Sequence, residues 1–295
     1  MKTLRFVLAV SLAAAIASSA LAGDKLKVLL IDGQNNHDWR KTTPVLEKIL
    51  AKYDRFDVTV STSPDNKAPK EAWNAWRPEF KKFDVVLSNY NGQDWPDEVK
   101  TAFVEYVKNG GGFVSIHAAD NSFPNWKEYN EMIGVGGWGR RNEKSGPKLY
   151  WKDGAIVRDT SPGGGGHHGQ QHEFLVEVRD SEHPITKGLP AKWRHSKDEL
   201  YDSLKGPAEN IAVLATAYSD PKMGGTDHNE PSLMAINFGK GRCFHDAEGH
   251  ADYSMADVGF QVTLARGCEW AATGNVTIPA PPASAMPEDR PGIAN

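Results

Sequence analysis

Several histidines and carboxylates of this 295-residue chain stand beside apolar runs, where a folded protein could present them at one edge of a sheet. His117 ends such a run, Glu199 follows an aspartate, and His250 follows a glycine. Imidazole titrates near neutral pH, so it can act as a general base, and it also binds divalent metals. We therefore take His117 and His250 as catalytic candidates, whereas the carboxylate of Glu199 is by itself more typical of a solvated surface or a helix start. Asp120 joins them because it could orient an imidazole, although it could instead cap the next helix.

A second group of residues could recognise a substrate. His37 and Trp39 lie in the loop after the first apolar run. An aromatic ring beside polar hydrogen-bonding groups suits the face of a sugar, although the same residues could cap the loop or plug the core. Asn91 and Tyr201 complete the predicted substrate-binding set.

Four of the candidates could together hold a divalent metal ion, zinc or a similar one. Three imidazoles and one carboxylate match the nitrogen and oxygen ligands of catalytic zinc sites. The predicted ligands are His37, His117, Glu199 and His250. The sequence has no His-Glu-x-x-His helix and no paired cysteine motif that would mark the site independently. The metal is therefore a hypothesis that depends on the fold.

A glycine-rich stretch at residues 163–166 interrupts the middle of the chain. A phosphate-binding loop needs Gly-x-x-x-x-Gly-Lys-Ser/Thr, or Gly-x-Gly-x-x-Gly directly after a strand, and the stretch meets neither requirement. We therefore expect no nucleotide cofactor and interpret the stretch as a flexible surface insertion. The adjacent His167, His168 and His172 form a second cluster that we expect to lie on this mobile loop.

The elements that must position these residues follow from the spacing of apolar residues. Short apolar runs bounded by turns indicate buried strands, and a repeat of three to four positions indicates helices. In the first half, strands are predicted at 27–32, 57–61, 83–89 and 113–116, with helices at 43–53 and 96–109. This alternation predicts an α/β fold with a doubly wound, mostly parallel, flavodoxin-like sheet and helices on both faces.

The second half of the chain is less regular. Strands are predicted at 172–178, 210–218, 231–238 and 241–245, with a closing helix at 258–273. The last two strands form a hairpin, from which His245 should point into the core. Residues 276–295, rich in proline and alanine, are expected to trail as a C-terminal tail. We thus predict a single α/β domain over residues 23–275.

Ligands of a doubly wound sheet bind outside the carboxyl ends of its strands. The predicted strands end directly before the loops that carry His37, Asn91, His117 and His250. We therefore expect these side chains to share one pocket, with Glu199 near them, although they lie far apart in the sequence.

The N-terminal residues 1–22 have the pattern of a secretory signal peptide. Lys2 and Arg5 precede an apolar run, and Ala20 and Ala22 form a cleavage site. The run is shorter than the about 18 residues that span a bilayer, which argues against an anchor. We expect a periplasmic or secreted protein with no membrane contact after cleavage.

Composition excludes some partners. A net charge of −4 without a clustered basic face argues against nucleic acid as a partner. The sequence is compatible with a homo-oligomer.

Cys243 and Cys268 could pair in an oxidising compartment, but both lie in segments that should be buried, which favours free thiols. No Gly-x-Ser-x-Gly elbow is present for serine hydrolysis.

Several motifs resemble those of ThuA-like proteins, which have the class I glutamine amidotransferase-like fold. The segment GGGFVSIHAA at 110–119 is similar to the strand-to-elbow segment of that superfamily. Further similarities are HPITKGLP at 183–190, DELY at 198–201, GKGR at 239–242 and RGCEWA at 266–271. True amidotransferases carry a cysteine at the elbow, where this chain has His117. The resemblance covers nearly the whole chain after the signal peptide.

The resemblance implies a role in carbohydrate metabolism. It suggests an exported sugar hydrolase, lyase or isomerase that acts on a small carbohydrate, a glycoside or keto-glycoside, through His/Glu acid–base or metal-assisted chemistry. It also raises Glu199 to a site residue. A cysteine amidotransferase is excluded because neither cysteine stands at the elbow. The alternative is a non-catalytic carbohydrate-binding protein that keeps the crevice of the fold.

Overall fold

The computed structural model describes residues 24–294. The predicted signal peptide, residues 1–22, lies outside the described residues. Within the described range, no helix is both long and apolar enough to cross a membrane.

The first half of the domain alternates strands and helices, as predicted. Its elements are β1 (Leu26–Asp32), α1 (Trp39–Ala51), β2 (Phe56–Thr62), α2 (Lys70–Ala75), β3 (Val85–Ser88), α3 (Asp97–Lys108) and β4 (Gly112–Ile116). The predicted start of the first helix at residue 43 is wrong by four residues. The N–H of Thr42 already bonds to the carbonyl of Asp38 at 3.1 Å, so the first turn closes before Pro44.

The second half is mostly β structure. Its elements are α4 (Lys127–Ile133), β5 (Lys148–Lys152), β6 (Ala155–Asp159), β7 (His167–His168), β8 (His172–Val178), β9 (Lys192–Asp198), β10 (Tyr201–Asp202), β11 (Ile211–Ser219), β12 (His228–Phe238), β13 (Gly241–Asp246) and α5 (Val258–Thr273). The bounds of β8 and α5 match the predictions, because their apolar periodicity is local and uninterrupted.

The main sheet is mixed, which corrects the prediction of a mostly parallel one. Its order is β2-β1-β3-β4-β13-β12-β11-β8-β9, with β5 and β6 joined to β12. Pairing is parallel from β2 to β13 and antiparallel beyond it. Strands β12 and β13 are joined by the two-residue turn 239–240, and so short a connection permits only antiparallel pairing.

Helices cover both faces of the sheet, as predicted. Alternate residues of a strand point to opposite faces, so Leu30 and Ile31 belong to two different apolar cores. Helices α1 and α5 pack in the first core, while α2, α3 and α4 pack in the second. Cys243 and Cys268 are free and buried in opposite cores, which confirms the prediction of buried thiols.

The C-terminal segment packs against the domain instead of trailing from it, which corrects the expectation. Ile278 and Met286 are buried in the first core. The N–H of Val258, at the start of α5, donates to the carbonyl of Gly292 at 2.7 Å. The segment thereby covers the outer side of α5, which explains why that helix is buried on nearly all sides.

Candidate functional site

His117 lies at the point where β4 ends and a short 3-10 turn begins. Its φ of 47° is in the left-handed region, which is uncommon for a residue with a side chain and concentrates at functional sites. Its Nδ1 lies 2.8 Å from the carbonyl oxygen of Ala247. Because a carbonyl only accepts hydrogen bonds, Nδ1 carries the proton. The other ring nitrogen, Nε2, faces Glu199 and lies 3.4 Å from its Oε2.

Glu199 follows β9 and lies between two imidazoles. Its Oε2 is 3.4 Å from Nε2 of His117 and 3.1 Å from Nδ1 of His250. Burial opposes ionisation of Glu199, but the adjacent imidazoles of His117 and His250 outweigh burial and lower the pKa of this carboxyl. Burial also works against the charged form of His250, yet Glu199 raises the pKa of that ring. Glu199 is therefore a carboxylate at neutral pH.

His37 completes the group from the loop after β1. Its N–H donates to Oδ1 of Asn35 at 2.9 Å, an Asx turn that shapes the loop. The His37 ring centroid is 4.3 Å from that of His250 and 4.9 Å from that of His117. Burial and the neighbouring histidines lower the pKa of His37 to about 3, so its imidazole is neutral and keeps a lone pair at pH 7.

These four side chains form one group, which we call the His/Glu cluster: His37, His117, Glu199 and His250. One ligand atom from each lies within 4.8 Å of all the others. In residues 24–294 this is the one group of three or more such side chains with metal-binding spacing. The buried atoms His117 Nε2 and His250 Nδ1 lack a well-formed hydrogen bond. Three nitrogens and one carboxylate oxygen suit a zinc-like ion, so the residues present could hold such a metal.

Tyr201 forms the wall beside the cluster. Its ring stacks on that of His117 at a centroid distance of 4.0 Å and an angle of 25°. Its hydroxyl oxygen is 3.5 Å from Nε2 of His37. Burial and the nearby charge of Glu199 hold the pKa of the phenol well above its usual range, so the hydroxyl stays protonated.

A cleft of about 390 Å³ opens above the cluster, a volume within the range of small-molecule sites. Its wall includes the predicted residues His37, Asn91, Glu199 and Tyr201. Asn91 donates through Nδ2 to Oδ1 of Asn36 at 2.7 Å, which sets two side-chain amides at the mouth.

Asp120 lies beside the imidazole of His245 and not beside a ring of the His/Glu cluster. The Asp120 Oδ2 atom is 3.2 Å from Nε2 of His245, and both side chains are fully buried. Burial raises the pKa of Asp120 and lowers that of His245 to about 4. A neutral carboxyl that donates to a neutral ring fits both shifts. Asp120 therefore lies beneath the site and does not line the cleft.

Trp39 also lies outside the cleft wall. It is the first residue of α1, and the guanidinium of Arg40 lies 4.3 Å from the centroid of its ring. His37, two residues earlier, lines the cleft, whereas the start of α1 carries Trp39 away from it.

Two further residues of the cleft wall were either absent from the predicted site, as Trp138 was, or assigned to a mobile loop, as His168 was. Trp138 is 39 % exposed, and its ring meets that of Tyr201 edge-on with centroids 4.9 Å apart. His168 lies on β7, which pairs with β10, and its Nε2 is 3.7 Å from Oε2 of Glu199. The expectation that His168 decorates a mobile loop is therefore wrong.

The glycine-rich stretch explains both positions. The backbone of Gly166 packs against that of Gly137, where a Cβ on Gly166 would lie 2.4 Å from the Cα of Gly137. The N–H of Trp138 donates to the carbonyl of Gly165 at 2.7 Å. Only residues without side chains permit this approach. The stretch thus packs against the segment that carries Trp138 and leads directly into His168, so it positions two residues of the cleft wall.

Gln171 is a further neighbour of the cluster with no signal in the sequence. Its Nε2 donates to Oε1 of Glu199 at 3.3 Å and to Nε2 of His250 at 3.1 Å. The hydroxyl of Tyr253 donates to Oε1 of Gln171 at 2.7 Å and fixes the amide orientation.

Comparison with known proteins agrees with the motifs found in the sequence. The family model ThuA, described as trehalose utilisation, matches residues 27–271. Among curated proteins no match is found. The structure is similar to a ThuA-like protein from Parabacteroides merdae, with 45 % identity, a TM-score of 0.87, and coverage of 92 % of this chain and 98 % of the other.

More distant structures share the fold alone. A ThuA-like protein from Bacteroides uniformis has 21 % identity and a TM-score of 0.54 over 85 % of this chain and 93 % of the other. A cytoplasmic protein from Salmonella typhimurium has 15 % identity and a TM-score of 0.51, with coverage of 83 % and 99 %. These similarities confirm the predicted fold class.

Proposed function

The chain belongs to the ThuA family, and we propose that it is a carbohydrate-processing enzyme whose His/Glu cluster binds a divalent metal ion. The reaction we propose is cleavage of a glycoside or keto-glycoside. The observation that carries the proposal is the convergence of three imidazoles and one carboxylate from four separate loops, two of which, those of His37 and Glu199, line a cleft.

The protonation states of three cluster residues favour metal binding, whereas the raised pKa of His250 means that a metal ion has to displace a proton from that ring. Metal ligands must be deprotonated, with neutral histidines and an ionised carboxylate. His117 has its Nδ1 proton held by the Ala247 carbonyl, the ring of His37 is neutral, and Glu199 is ionised. A backbone carbonyl that holds the other nitrogen of a ligating histidine is a common arrangement at metal sites. The chemistry that such an ion supplies is Lewis acidity toward a sugar oxygen.

His168 is the residue best placed to move a proton in this reaction. Its Nδ1 lies 2.8 Å from the carbonyl oxygen of Gly169, so this nitrogen carries the proton. Its Nε2 is thereby left as the basic nitrogen beside Glu199, and the side chain is about one-third exposed in the cleft wall. A general base needs this combination of substrate access and a fixed tautomer.

The cleft wall supports a sugar as the substrate. Trp138 offers an exposed aromatic face, and Asn36, Asn91 and Asn121 offer amides that can both donate and accept. The loop that presents Trp138 is fixed by the buried guanidinium of Arg141, which donates to the carbonyls of residues 121, 122 and 137 and to Asn130 Oδ1. Aromatic and amide groups held this firmly suit a ring with one apolar face and several hydroxyls.

We propose further that the protein works outside the cytoplasm, because of the signal-peptide pattern of residues 1–22. The proposed metal ion, substrate and reaction do not require a component of the cytosol.

The test combines metal analysis with a substrate screen. Purified protein should bind about one zinc per chain and cleave a member of a panel of glycosides and their 3-keto derivatives, including trehalose. His250→Ala should lose both properties. His183→Ala is the matched control, because this histidine packs against Trp270, outside the cluster. Turnover that persists in His250→Ala, or wild-type protein without metal affinity, would contradict the proposal.

A non-catalytic carbohydrate-binding protein is the second candidate, favoured by the exposed Trp138 and the amides at the cleft mouth. In that case trehalose or a related sugar should bind in calorimetry without any product on prolonged incubation with zinc.

A further inference from the structure

We propose that Asp198 is a positioning residue that holds Glu199 and His250, which lie on two different loops, in the single geometry that the metal site requires. This inference rests on the proposed function, because it concerns the same cluster. Asp198 ends β9 and is fully buried.

Both carboxylate oxygens of Asp198 are occupied by donors from the two loops. Oδ1 accepts from the backbone N–H of Glu199 at 2.8 Å and from that of His250 at 3.1 Å. Oδ2 accepts from the N–H of Gly249 at 2.7 Å and from Nε2 of His195 at 2.8 Å. An ionised carboxylate is an acceptor with about four lone-pair sites, so all four donors are matched. One side chain thus fixes the backbone of two cluster residues.

The support beneath Asp198 is equally buried. Nδ1 of His195 lies 3.4 Å from a carboxylate oxygen of Glu248 and 3.4 Å from one of Asp257. Asp257 in turn accepts from the N–H of Phe260 at 3.2 Å and caps α5. Within this buried network, Asp198 is the carboxylate that itself bonds to the two cluster loops.

The turn before His250 requires a glycine. Gly249 has a φ of 95°, and a Cβ there would lie 2.6 Å from the ring of Phe260. Because glycine itself restricts the backbone little, the hydrogen bonds that Asp198 accepts from Gly249 and His250 fix where the turn places the imidazole. Partners that orient metal ligands in this way typically contribute about 10–100-fold to metal affinity.

The test compares two buried carboxylates of the same network. Asp198→Asn keeps the shape of the side chain but replaces one acceptor oxygen by an NH2 donor. In one orientation this donor opposes the donors of Gly249 and His195. In the other it opposes the N–H groups of Glu199 and His250. Asp257→Asn makes the same change at a carboxylate that contacts neither cluster loop. Zinc affinity is measured by competition with a chromophoric chelator, and stability is measured by thermal unfolding without metal. We expect zinc affinity to fall about 10–100-fold in Asp198→Asn and to stay within about threefold of wild type in Asp257→Asn.

The outcomes separate this inference from the proposed function. Equal zinc affinity in wild type and Asp198→Asn, or equal losses in both variants, would overturn the positioning role while the metal site stands. Wild-type protein that binds no zinc would overturn both. Should Asp198→Asn not fold, Asp198→Glu keeps the charge but displaces the acceptors by one methylene. Its zinc affinity should then fall while its melting temperature stays close to that of wild type, and unchanged affinity would contradict the role.

Discussion

At the scale of single residues, His117 combines a strained backbone with a fixed tautomer. We predict that His117→Ala lowers zinc affinity by more than about 100-fold, because even partners of ligands contribute about 10–100-fold. It should also lower stability by about 1–3 kcal/mol, since the buried carbonyl of Ala247 loses its donor. Chelator competition and urea unfolding measure the two effects. A loss of stability without loss of zinc affinity would identify His117 as a structural histidine.

A pair of tryptophans tests the substrate side of the site. We predict that Trp138→Ala weakens binding of trehalose or its 3-keto derivative by about tenfold, the equivalent of about 1.4 kcal/mol of ring contact. Zinc affinity should not change, because Trp138 does not belong to the cluster. Trp39→Ala is the matched control, since this partly exposed ring lies outside the cleft. Calorimetry that finds the same loss in both variants would contradict the role of Trp138.

Whether the sequence could predict that a residue belongs to the site depended on the course of the backbone after each strand. His37, His117 and His250 follow the ends of predicted strands, and strand ends meet at one edge of a sheet, so the structure brings them together. Glu199 follows β9, which was not predicted, and its place in the site was implied by the resemblance. Whether a side chain then points up into the cleft or down into the core is set by the turn that follows. The sequence does not reveal this direction, and Asp120 therefore faces His245 instead of the cleft.

At the scale of secondary-structure elements, the periodicity of apolar residues predicted the strands and helices in which that pattern is continuous. Strand β8 and helix α5 have continuous apolar patterns and matched their predicted bounds. Helices α2 and α4 were missed because each has about two turns or fewer, too short for a period to show. Strand β7 was missed because its two residues gain their conformation only by pairing with β10 across the glycine-rich stretch.

Glu269 of α5 tests how the C-terminal segment is attached. It accepts hydrogen bonds from the N–H groups of Thr277 and Ile278 and from Nε of Arg55. Burial opposes its ionisation, but these hydrogen bonds outweigh burial and lower the pKa below the usual 4.5. The stabilisation is therefore complete above pH 4.5 and is lost as the pH falls through the lowered pKa of the folded state.

We predict that Glu269→Gln lowers the free energy of unfolding by about 2–3 kcal/mol at pH 7, because a charged acceptor of several bonds is lost. The difference from wild type should narrow as the pH falls below 4.5, where the wild-type carboxylate becomes protonated. Urea unfolding at pH 7, 4 and 3 measures the difference in the free energy of unfolding between the two proteins. The exposed Glu71→Gln is the control and should differ little from wild type at any of these pH values. A constant difference for Glu269→Gln across this range would contradict the assignment.

At the scale of the whole molecule, the main sheet has a parallel half and an antiparallel half, and each half positions different residues of the cluster. The parallel half supplies strand ends that place His37 and His117, while the antiparallel half, through β9 and β13, leads to Glu199 and His250. The cluster therefore forms only when both halves are joined at the β4–β13 pairing. Metal binding should consequently report on the assembly of the complete domain.

The start of the mature chain is the last prediction at this scale. We predict cleavage after Ala22, so that the exported protein begins at Gly23, because a basic start, a short apolar run and small residues at 20 and 22 define a signal peptide. Strand β1 begins at Leu26, so removal of residues 1–22 leaves every described strand intact. The full-length chain is expressed in a Gram-negative host, the periplasm is separated from the cytoplasm, and the product is sequenced from its N-terminus. Ala22→Arg, which blocks the cleavage site, should give a longer product that stays with the membrane. A wild-type product that retains Met1 in the cytoplasm would contradict both the cleavage and the export.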